Sequence, residues 1–164
     1  MITLKELKYG VVVDNEDYER LKDHIIDVRY YHEGRDYERV LIWVKGKQFP
    51  LANIIMGKPP EGYIWDHKDR NSLNNRRENL RIATRQQNNF NSIKRENVTS
   101  QYKGVSKFIS KKKRVYIYWE AKFLGKRLGL FSNEIDAAKA YDKAISKYAG
   151  EFAVLNFPKE AKKE

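Results

Sequence analysis

The chain has 164 residues, which is enough for one ordinary domain or two small ones. It contains no cysteine, which excludes disulfides and thiolate metal sites and favours a reducing, intracellular setting. The net charge is +11, and residues 59–164 carry the whole excess, because residues 1–58 hold 10 basic and 10 acidic side chains. A positive field of this kind attracts polyanions such as nucleic acid, although a solvated lysine-rich surface would give the same count.

The sequence lacks the patterns of secretion and of membrane insertion. It has no apolar run near the ~20 residues that a membrane span needs. Residues 1–10 carry charges where a signal peptide has its apolar stretch. We therefore expect an intracellular protein that is neither secreted nor bound to a membrane.

Residues 1–62 are predicted to form strands around one short helix. The β-branched stretch 9–13 predicts a strand, and Asp14 or Asn15 can cap a helix that runs through Tyr18 and Leu21. Residues 25–31 and 38–44 are rich in Val, Ile and Tyr and predict a hairpin, which a turn at 45–47 connects to the apolar stretch 49–56. His24 and His32 have no patterned carboxylate or histidine partner, so this segment shows no chemistry.

Residues 63–91 have a different pattern, with a strand, a long polar loop, a second strand and a helix. A short apolar stretch leads into Asp66 and His67, and the polar loop 68–75 follows. Residues 79–82 predict a brief strand, and Thr84 can cap the helix that carries four amide side chains. Residues 90–101 lack periodicity and read as a linker.

The chemistry of residues 66 and 67 fits phosphodiester hydrolysis. Adjacent side chains on a strand point to opposite faces, but at the end of a strand Asp66 and His67 could share one small site. Hydrolysis needs an activated water and a positive centre beside the departing oxygen. An imidazole can take the proton of that water, since its pKa lies near neutral pH. One carboxylate with amide oxygens suits Mg²⁺, and three histidines without cysteine argue against a closed zinc site.

These residues resemble the HNH nucleases of the ββα-metal fold, and most closely the phage and intron-encoded homing endonucleases. The resemblance covers residues 63–91 densely and residues 54–60 more weakly. Taken singly, each residue of the motif would be read as structural, but their joint spacing favours a nuclease site. The motif consists of Asp66-His67, Asn79 within Glu78-Asn79-Leu80, and Asn88 within Arg85-Gln86-Gln87-Asn88.

The resemblance implies a role for each residue of the motif. His67 would be the general base, Asp66 and Asn88 would bind the metal, and Asn79 would hold the loop in shape and orient His67. It implies Mg²⁺ as the cofactor, with Mn²⁺ as the alternative and no zinc, and duplex DNA as the partner. The neighbouring arginines could bind backbone phosphates of the DNA, although the motif assigns no contact to each one. They are Arg76, Arg77 and Arg81.

The C-terminal segment predicts three strands and one helix, which make a two-layer unit. The strands are expected at 102–108, 114–124 and 126–131, and the helix at 133–148 with Ser132 as its cap. One face of the middle strand should pack against the helix and leave a basic, tyrosine-containing face open. We expect that face or its edges to contact DNA through Lys103, Lys107, Arg114, Tyr116, Tyr118, Lys122, Lys126 and Arg127.

This segment resembles the DNA-binding domain of the plant ethylene-response (Apetala-two) factors, which also occurs as a C-terminal module in homing endonucleases. The resemblance runs from residue 101 to residue 158. It implies a sheet that sits in the major groove, but the arginines and tryptophans of the plant proteins are mostly replaced here. The motifs are Tyr102-Lys103-Gly104-Val105, Trp119-Glu120-Ala121, Leu128-Gly129-Leu130-Phe131, Ala137-Ala138-Lys139-Ala140-Tyr141-Asp142 and Leu155-Asn156-Phe157-Pro158.

The predicted fold is α+β, with a strand-rich N-terminal segment, a ββα-metal motif, a linker, and a three-stranded antiparallel sheet packed on one helix. The boundaries are 1–91 for the nuclease domain with its core at 63–91, 92–100 for the linker, 101–158 for the DNA-binding domain and 159–164 for a tail. We expect a metal-dependent DNA endonuclease of the homing type, a monomer or weak dimer, acting on DNA in a phage or host cell. Two alternatives remain open: a non-catalytic DNA-binding regulator with a relic nuclease motif, and an RNA-binding protein.

Overall fold

The computed structural model confirms an α+β fold in which strands and helices alternate along the chain. The chain divides into two compact units, residues 1–88 and residues 89–164. The residues that the structure describes are 5–31, 37–94, 99–111 and 115–158.

The first unit begins with a small two-stranded sheet, of which only the strand at residues 11–13 was predicted, and with the predicted helix. Its elements are β1 (Lys5–Leu7), a 3₁₀ turn (Lys8–Gly10), β2 (Val11–Val13) and α1 (Asn15–Leu21). Strands β1 and β2 pair antiparallel. Helix α1 follows Asp14, and Glu16 and Asp17 lie in its first turn. Negative side chains there stabilise the helix, because they lie near the positive end of its dipole.

A three-stranded sheet and a short helix follow, and the predicted hairpin is confirmed. The elements are β3 (Ile26–Tyr31), β4 (Tyr37–Val44), β5 (Lys47–Pro50) and α2 (Leu51–Met56). The sheet has the antiparallel order β3-β4-β5. Lys45 and Gly46 form the tight turn between β4 and β5 with positive φ angles of 49° and 74°, a conformation that glycine adopts without strain.

The residues of the predicted nuclease motif form a hairpin followed by a helix. Strand β6 (Tyr63–His67) pairs antiparallel with β7 (Leu80–Thr84), and α3 (Arg85–Asn91) begins directly after β7. Thr84 caps α3 as predicted: its Oγ1 accepts a hydrogen bond from Gln87 N–H at 3.2 Å. Gln87 Oε1 accepts one from Thr84 N–H at 2.8 Å in return. The chain therefore leaves the hairpin and enters the helix without a loop.

One apolar core joins the motif to the N-terminal segment. Leu80 of β7 is buried together with residues of β2, α1, β3, β4 and α2, and Trp65 and Leu73 pack against the same cluster. The fully or almost fully buried members are Val11, Val13, Leu21, Ile26, Ile42, Leu51 and Ile55. The N-terminal segment thus supplies most of the core on which the hairpin rests.

The second unit contains the predicted three-stranded antiparallel sheet and helix. Its elements are β8 (Val105–Lys111), β9 (Val115–Phe123), β10 (Lys126–Phe131) and α4 (Glu134–Ala149), with the strand order β10-β9-β8. Strand β8 lies three residues later than predicted, at 105–111 and not at 102–108. A bulge between Arg127 and Gly129 shifts the register of β10 against β9.

Helix α4 packs its small residues against the sheet, where Ala137 and Ala138 are fully buried together with Val105 and Ala121. The cap differs from the prediction by one residue. Asn133, and not Ser132, is the N-cap, since its Oδ1 accepts a hydrogen bond from Asp136 N–H at 2.8 Å. Both residue types are good caps, and the tertiary position of the helix decides between them.

The end of the second unit is fixed by a buried aspartate of α4. Asp142 accepts hydrogen bonds from the backbone N–H groups of Asn156 and Phe157, at 2.9 and 2.8 Å. Phe157 in turn packs its ring on Tyr102, with 5.2 Å between the centroids. Within the described parts of the chain, no helix is long and apolar enough to cross a membrane.

Candidate active site

The site is built at the end of the β6–β7 hairpin. Asp66 pairs with Arg81 across the hairpin, and His67, the last residue of β6, pairs with Leu80. The chain then turns, with Arg70 N–H donating to the carbonyl of His67 at 2.9 Å. Both residues thus lie within the paired strand, and the loop begins directly after His67.

Asp66 forms a buried ion pair with Arg81. Arg81 Nε donates to Asp66 Oδ2 at 2.9 Å, and the two side chains are only 11% and 3% exposed. Charge-assisted hydrogen bonds of this kind fix the orientation of a carboxylate. Arg81 was predicted to contact a phosphate, but its side chain binds Asp66, the predicted metal ligand.

Asn79 holds the polar loop between the two strands. Its Nδ2 donates to Asp69 Oδ1 at 2.9 Å and to the carbonyl of Asn74 at 2.7 Å, and its Oδ1 accepts from Asp69 N–H at 3.1 Å. Burial opposes the ionisation of Asp69, but hydrogen bonds from Asn71 N–H, Asn74 and Asn79 outweigh it and lower the pKa of this carboxyl. The amide thus acts as the loop support expected of it.

His67 is held by an asparagine that sequence reasoning missed. Asn75 Oδ1 lies 3.2 Å from His67 Nε2, and Asn75 is 1% exposed. Asn75 Nδ2 donates to the carbonyl of Ser72 at 2.7 Å, so the amide oxygen is the group that faces the imidazole. An acceptor opposite Nε2 requires the proton on Nε2, which leaves the lone pair on Nδ1. Burial lowers the pKa of His67 below its usual 6.5, so the neutral base is favoured at neutral pH.

The N-terminal segment supports the loop that carries Asn75. Val12 of β2 donates its N–H to the carbonyl of Leu73, and its carbonyl accepts the N–H of Asn75, both at 2.8 Å. This pair of bonds makes an isolated parallel bridge between β2 and the loop. The backbone around Asn75 is therefore fixed by residues far upstream of the motif.

Arg77 connects the polar loop to the N-terminal segment, because its side chain binds the buried carboxylate of Asp17 in α1. Its Nε and Nη2 each lie 2.8 Å from an oxygen of Asp17, whose side chain is 0% exposed. The backbone N–H of Arg77 also donates to Asp14 at 2.9 Å, and Arg20 contributes a third cationic bond to Asp17 at 2.7 Å. Arg77 was predicted to contact DNA, and it lies here in a structural ion pair.

The two remaining motif residues lie on either side of β7. Arg76 forms an ion pair with Glu78 in the loop. Asn88 lies half-buried in the second turn of α3, within the helix that Thr84 caps. The sequence predicted the helix position of Asn88 correctly.

The metal ligands predicted from the sequence are one carboxylate, Asp66, and one amide, Asn88. Oxygen ligands of these types are the ones that Mg²⁺ prefers. Among the described residues, no three or more His, Asp or Glu gather as a metal site.

The basic residues of the second unit fall into two groups. Lys122 and Arg127 pair across β9 and β10, and both bind Glu120, with Lys122 Nζ and Arg127 Nε each 2.5 Å from one of its oxygens. Hydrogen bonds from Lys122 and then Arg127 lower the pKa of Glu120. Lys107 and Lys126 pair with residues on the face that α4 covers, so they extend from the edge strands of that side.

Lys103 binds backbone at the end of α3. Its Nζ donates to the carbonyls of Phe90 and Ser92, at 2.7 and 2.5 Å, and to that of Asn89 at 3.3 Å. A cation at the C-terminus of a helix satisfies carbonyls that have no partner within the helix. Phe90 also stacks on Phe123 with 5.6 Å between the centroids, so residues 89–92 pack within the second unit. The predicted DNA contact Arg114 lies outside the described residues.

Comparisons with known proteins show what each part of the chain is similar to. Residues 54–90 match the HNH endonuclease family. The chain is 35% identical over 109 residues to an uncharacterized HNH endonuclease of Acanthamoeba polyphaga mimivirus, across 66% of this chain and 55% of the relative. It is 40% identical over 74 residues to APETALA2-like protein 2 of Oryza sativa, in both the indica and japonica subspecies, across 42% of this chain and 17% of each relative. No solved structure matches the chain.

The hairpin, its polar loop and α3 together form a ββα unit that contains Asp66 and His67. Residues 54–90 are similar to HNH endonuclease domains. The C-terminal part is similar to APETALA2-like proteins. The chain spans about half the length of the mimivirus relative and less than a fifth of the rice relatives.

Proposed function

We propose that the chain is a metal-dependent endonuclease of the homing type, which hydrolyses phosphodiester bonds in duplex DNA and is guided by its C-terminal unit. The observation that carries the proposal is the half-buried imidazole of His67, bound through Nε2 by Asn75 within the stretch that matches HNH endonucleases. The bond to Asn75 fixes the tautomer of this imidazole, with the proton on Nε2. The fixed tautomer is what a general base requires.

His67 would take the proton of the attacking water on Nδ1. Its lowered pKa keeps the imidazole unprotonated at neutral pH, so the base is ready without a change of pH. As the imidazole becomes positively charged, the hydrogen bond from Nε2–H to Asn75 becomes stronger, because bonds from charged donors are stronger than neutral ones. Asn75 would therefore stabilise the protonated base as well as orient it.

Asp66 and Asn88 would hold the divalent cation, whose charge offsets that of the departing 3′-oxygen when it is bound. We infer Mg²⁺ as the ion, with Mn²⁺ as the alternative, from the oxygen donors of the pair. Arg81 would keep the carboxylate of Asp66 in one orientation, so little ordering remains to be done when the ion binds. By resemblance to the family, the products would carry 5′-phosphate and 3′-hydroxyl ends.

The C-terminal unit would bind the duplex and set the register of the cut. Basic side chains on its sheet and edges attract the phosphates, and sheets of this width fit a major groove. One catalytic set per chain implies that a monomer nicks one strand. A double-strand break would need two chains.

The decisive experiment measures nicking of supercoiled plasmid by the full chain with Mg²⁺. His67→Ala should lower the rate about 10²–10⁴-fold, which is the usual contribution of a general base, and should leave DNA affinity unchanged. His24→Ala is the matched control, because His24 is exposed in the same unit and outside the motif. Chelation by EDTA should stop nicking, and Mg²⁺ or Mn²⁺ should restore it.

The outcomes separate the proposal from the alternatives. DNA binding without any metal-dependent nicking would identify a regulator with a relic motif. Nicking by His67→Ala at the wild-type rate would overturn the assignment of the base. Stronger binding to single-stranded RNA than to duplex DNA would overturn the choice of substrate.

A further inference from the structure

The sheet of the second unit has one face packed on α4 and one open face. Trp119 and Ala121 of β9 face the helix, and the alternate residues of β9 face the other way. Cross-strand pairing then defines the open face, because residues directly opposite each other lie on the same side. The pairs are Ser110–Tyr116, Phe108–Tyr118, Ser106–Glu120, Leu130–Glu120 and Arg127–Lys122.

The charged groups of the open face are largely bound to one another. Glu120 accepts bonds from Lys122 and Arg127, and its side chain is only 5% exposed. The guanidinium of Arg127 also lies over the ring of Phe108, 5.2 Å from its centroid. The Nε–H of Arg127 donates to Glu120, which fixes the direction of the guanidinium. The open face carries no Asn or Gln among its described positions to read adenine.

The open face also carries exposed apolar side chains. Leu130 is 40% exposed and Tyr116 is 48% exposed, and the rings of Tyr116 and Tyr118 lie 6.3 Å apart. Phe108 extends this apolar surface across β8. In the major groove, the one apolar group on a base edge is the 5-methyl of thymine, and side chains such as Phe contact it.

We propose that the open face reads thymine methyl groups, so that the enzyme prefers T-rich duplex DNA. This inference rests on the proposed function, in which the sheet lies in the major groove. The occupant is duplex DNA because the face places two cations, Lys122 and Arg127, beside its apolar centre, and the carboxylate among them is neutralised. Phosphates would meet the cations while the methyl groups meet Leu130 and the rings.

The test compares two duplexes that differ only in the methyl group. The full chain is titrated, with EDTA to prevent cleavage, against a short alternating A·T duplex and against the same duplex with deoxyuridine in place of thymidine. Each thymine covered by an apolar side chain should contribute about fourfold to affinity, from the transfer free energy of one methyl group. The thymidine duplex should therefore bind at least about fourfold more tightly.

Side-chain truncation identifies the residue responsible. Leu130→Ala should reduce the thymidine-to-deoxyuridine ratio towards one, since the variant removes the partner of the methyl group. Ile135→Ala is the matched control, because Ile135 is a similarly exposed aliphatic residue at the start of α4, away from the open face. It should leave the ratio unchanged. Thermal melting of both variants checks that the second unit is folded.

The two proposals fail in different ways. Equal affinity for both duplexes, with plasmid nicking intact, would overturn the reading of methyl groups and leave the nuclease assignment standing. Retention of the full ratio by Leu130→Ala would also overturn it. Absence of binding to any duplex, or preference for single-stranded RNA, would overturn the proposed function and the inference together.

Discussion

Replacing Asn75 by aspartate would add one negative charge against the imidazole of His67 and keep the hydrogen-bond acceptor. Asn75 Oδ1 lies 3.2 Å from His67 Nε2, and the residue is 1% exposed, so solvent would screen the new charge poorly. In the native protein, burial lowers the pKa of His67. The aspartate acts in the opposite direction, because a nearby carboxylate favours the charged imidazolium.

The expected magnitude follows from the distance and the burial. An opposite charge within hydrogen-bond distance shifts a pKa by about 1–3 units. A general base works only when it is unprotonated, so the acid limb of the pH–rate profile should move to higher pH by about the same amount. At a pH below both pKa values, each unit corresponds to about tenfold less neutral base and therefore to about tenfold slower nicking.

The assay is single-turnover nicking of supercoiled plasmid with Mg²⁺ across the acidic and neutral range. Asn71→Asp is the matched control: it adds the same charge in the same loop, but Asn71 is exposed and its Oδ1 contact with Leu73 N–H survives the change. Its profile should stay close to that of the native enzyme. Asn75→Asp also loses the donor to Ser72 O, so its melting temperature is measured to correct for any loss of folded protein. An acid limb that stays in place, or moves to lower pH, would refute the assignment of His67 as the base held by this amide.

Two further predictions concern the residues that hold each unit together. Arg77→Met should destabilise the first unit by about 1.5–3 kcal/mol in urea unfolding, because it removes the paired bonds to the buried carboxylate of α1. Arg85→Met is the control, because Arg85 is exposed on α3, and it should change the free energy of unfolding little. If Arg77→Met weakened DNA binding but left stability unchanged, Arg77 would be a phosphate contact and not a structural ion pair. Gly104→Ala should destabilise the second unit by about 2–4 kcal/mol, since its φ is +75° and the new Cβ would overlap the ring of Tyr141. Gly125→Ala is the control, because Gly125 also has a positive φ but a new Cβ there would meet no other atom. Equal losses of unfolding free energy in both variants would show that the contact with the Tyr141 ring does not matter.

Local patterns predicted the elements around the site because each carries its own signal. The helix after β7 begins with Thr84 and Gln87, whose reciprocal bonds involve residues three apart, and such a cap can be read directly from the sequence. The alternation along β9 predicted which side chains face α4, and Trp119 and Ala121 do so. The match to HNH endonucleases covers residues 54–90, which include the hairpin and most of α3.

The supporting contacts could not be predicted, because they join residues far apart in the sequence. Arg77 and Asp17 are separated by 60 residues, and nothing near either one marks it as a partner of the other. Asn75 stood among several loop asparagines, and only its burial and its contact with His67 set it apart. Val12 makes its contribution through backbone atoms alone, which no side-chain pattern can indicate. Tertiary packing decides such pairs, and it is absent from a single sequence.

The contacts of the basic side chains change how positive charge should be interpreted in this chain. Arg77 and Arg81 neutralise buried carboxylates, and Lys122 and Arg127 share a third, so each attracts a distant phosphate less than an unpaired cation would. The same pairing holds the side chains in place, which lowers the ordering cost when a partner binds. A count of lysines and arginines therefore overstates non-specific attraction. We infer that Glu120 holds Lys122 and Arg127 in a fixed arrangement beside the apolar side chains of the open face. This arrangement would lower the general affinity for phosphates and favour selective binding.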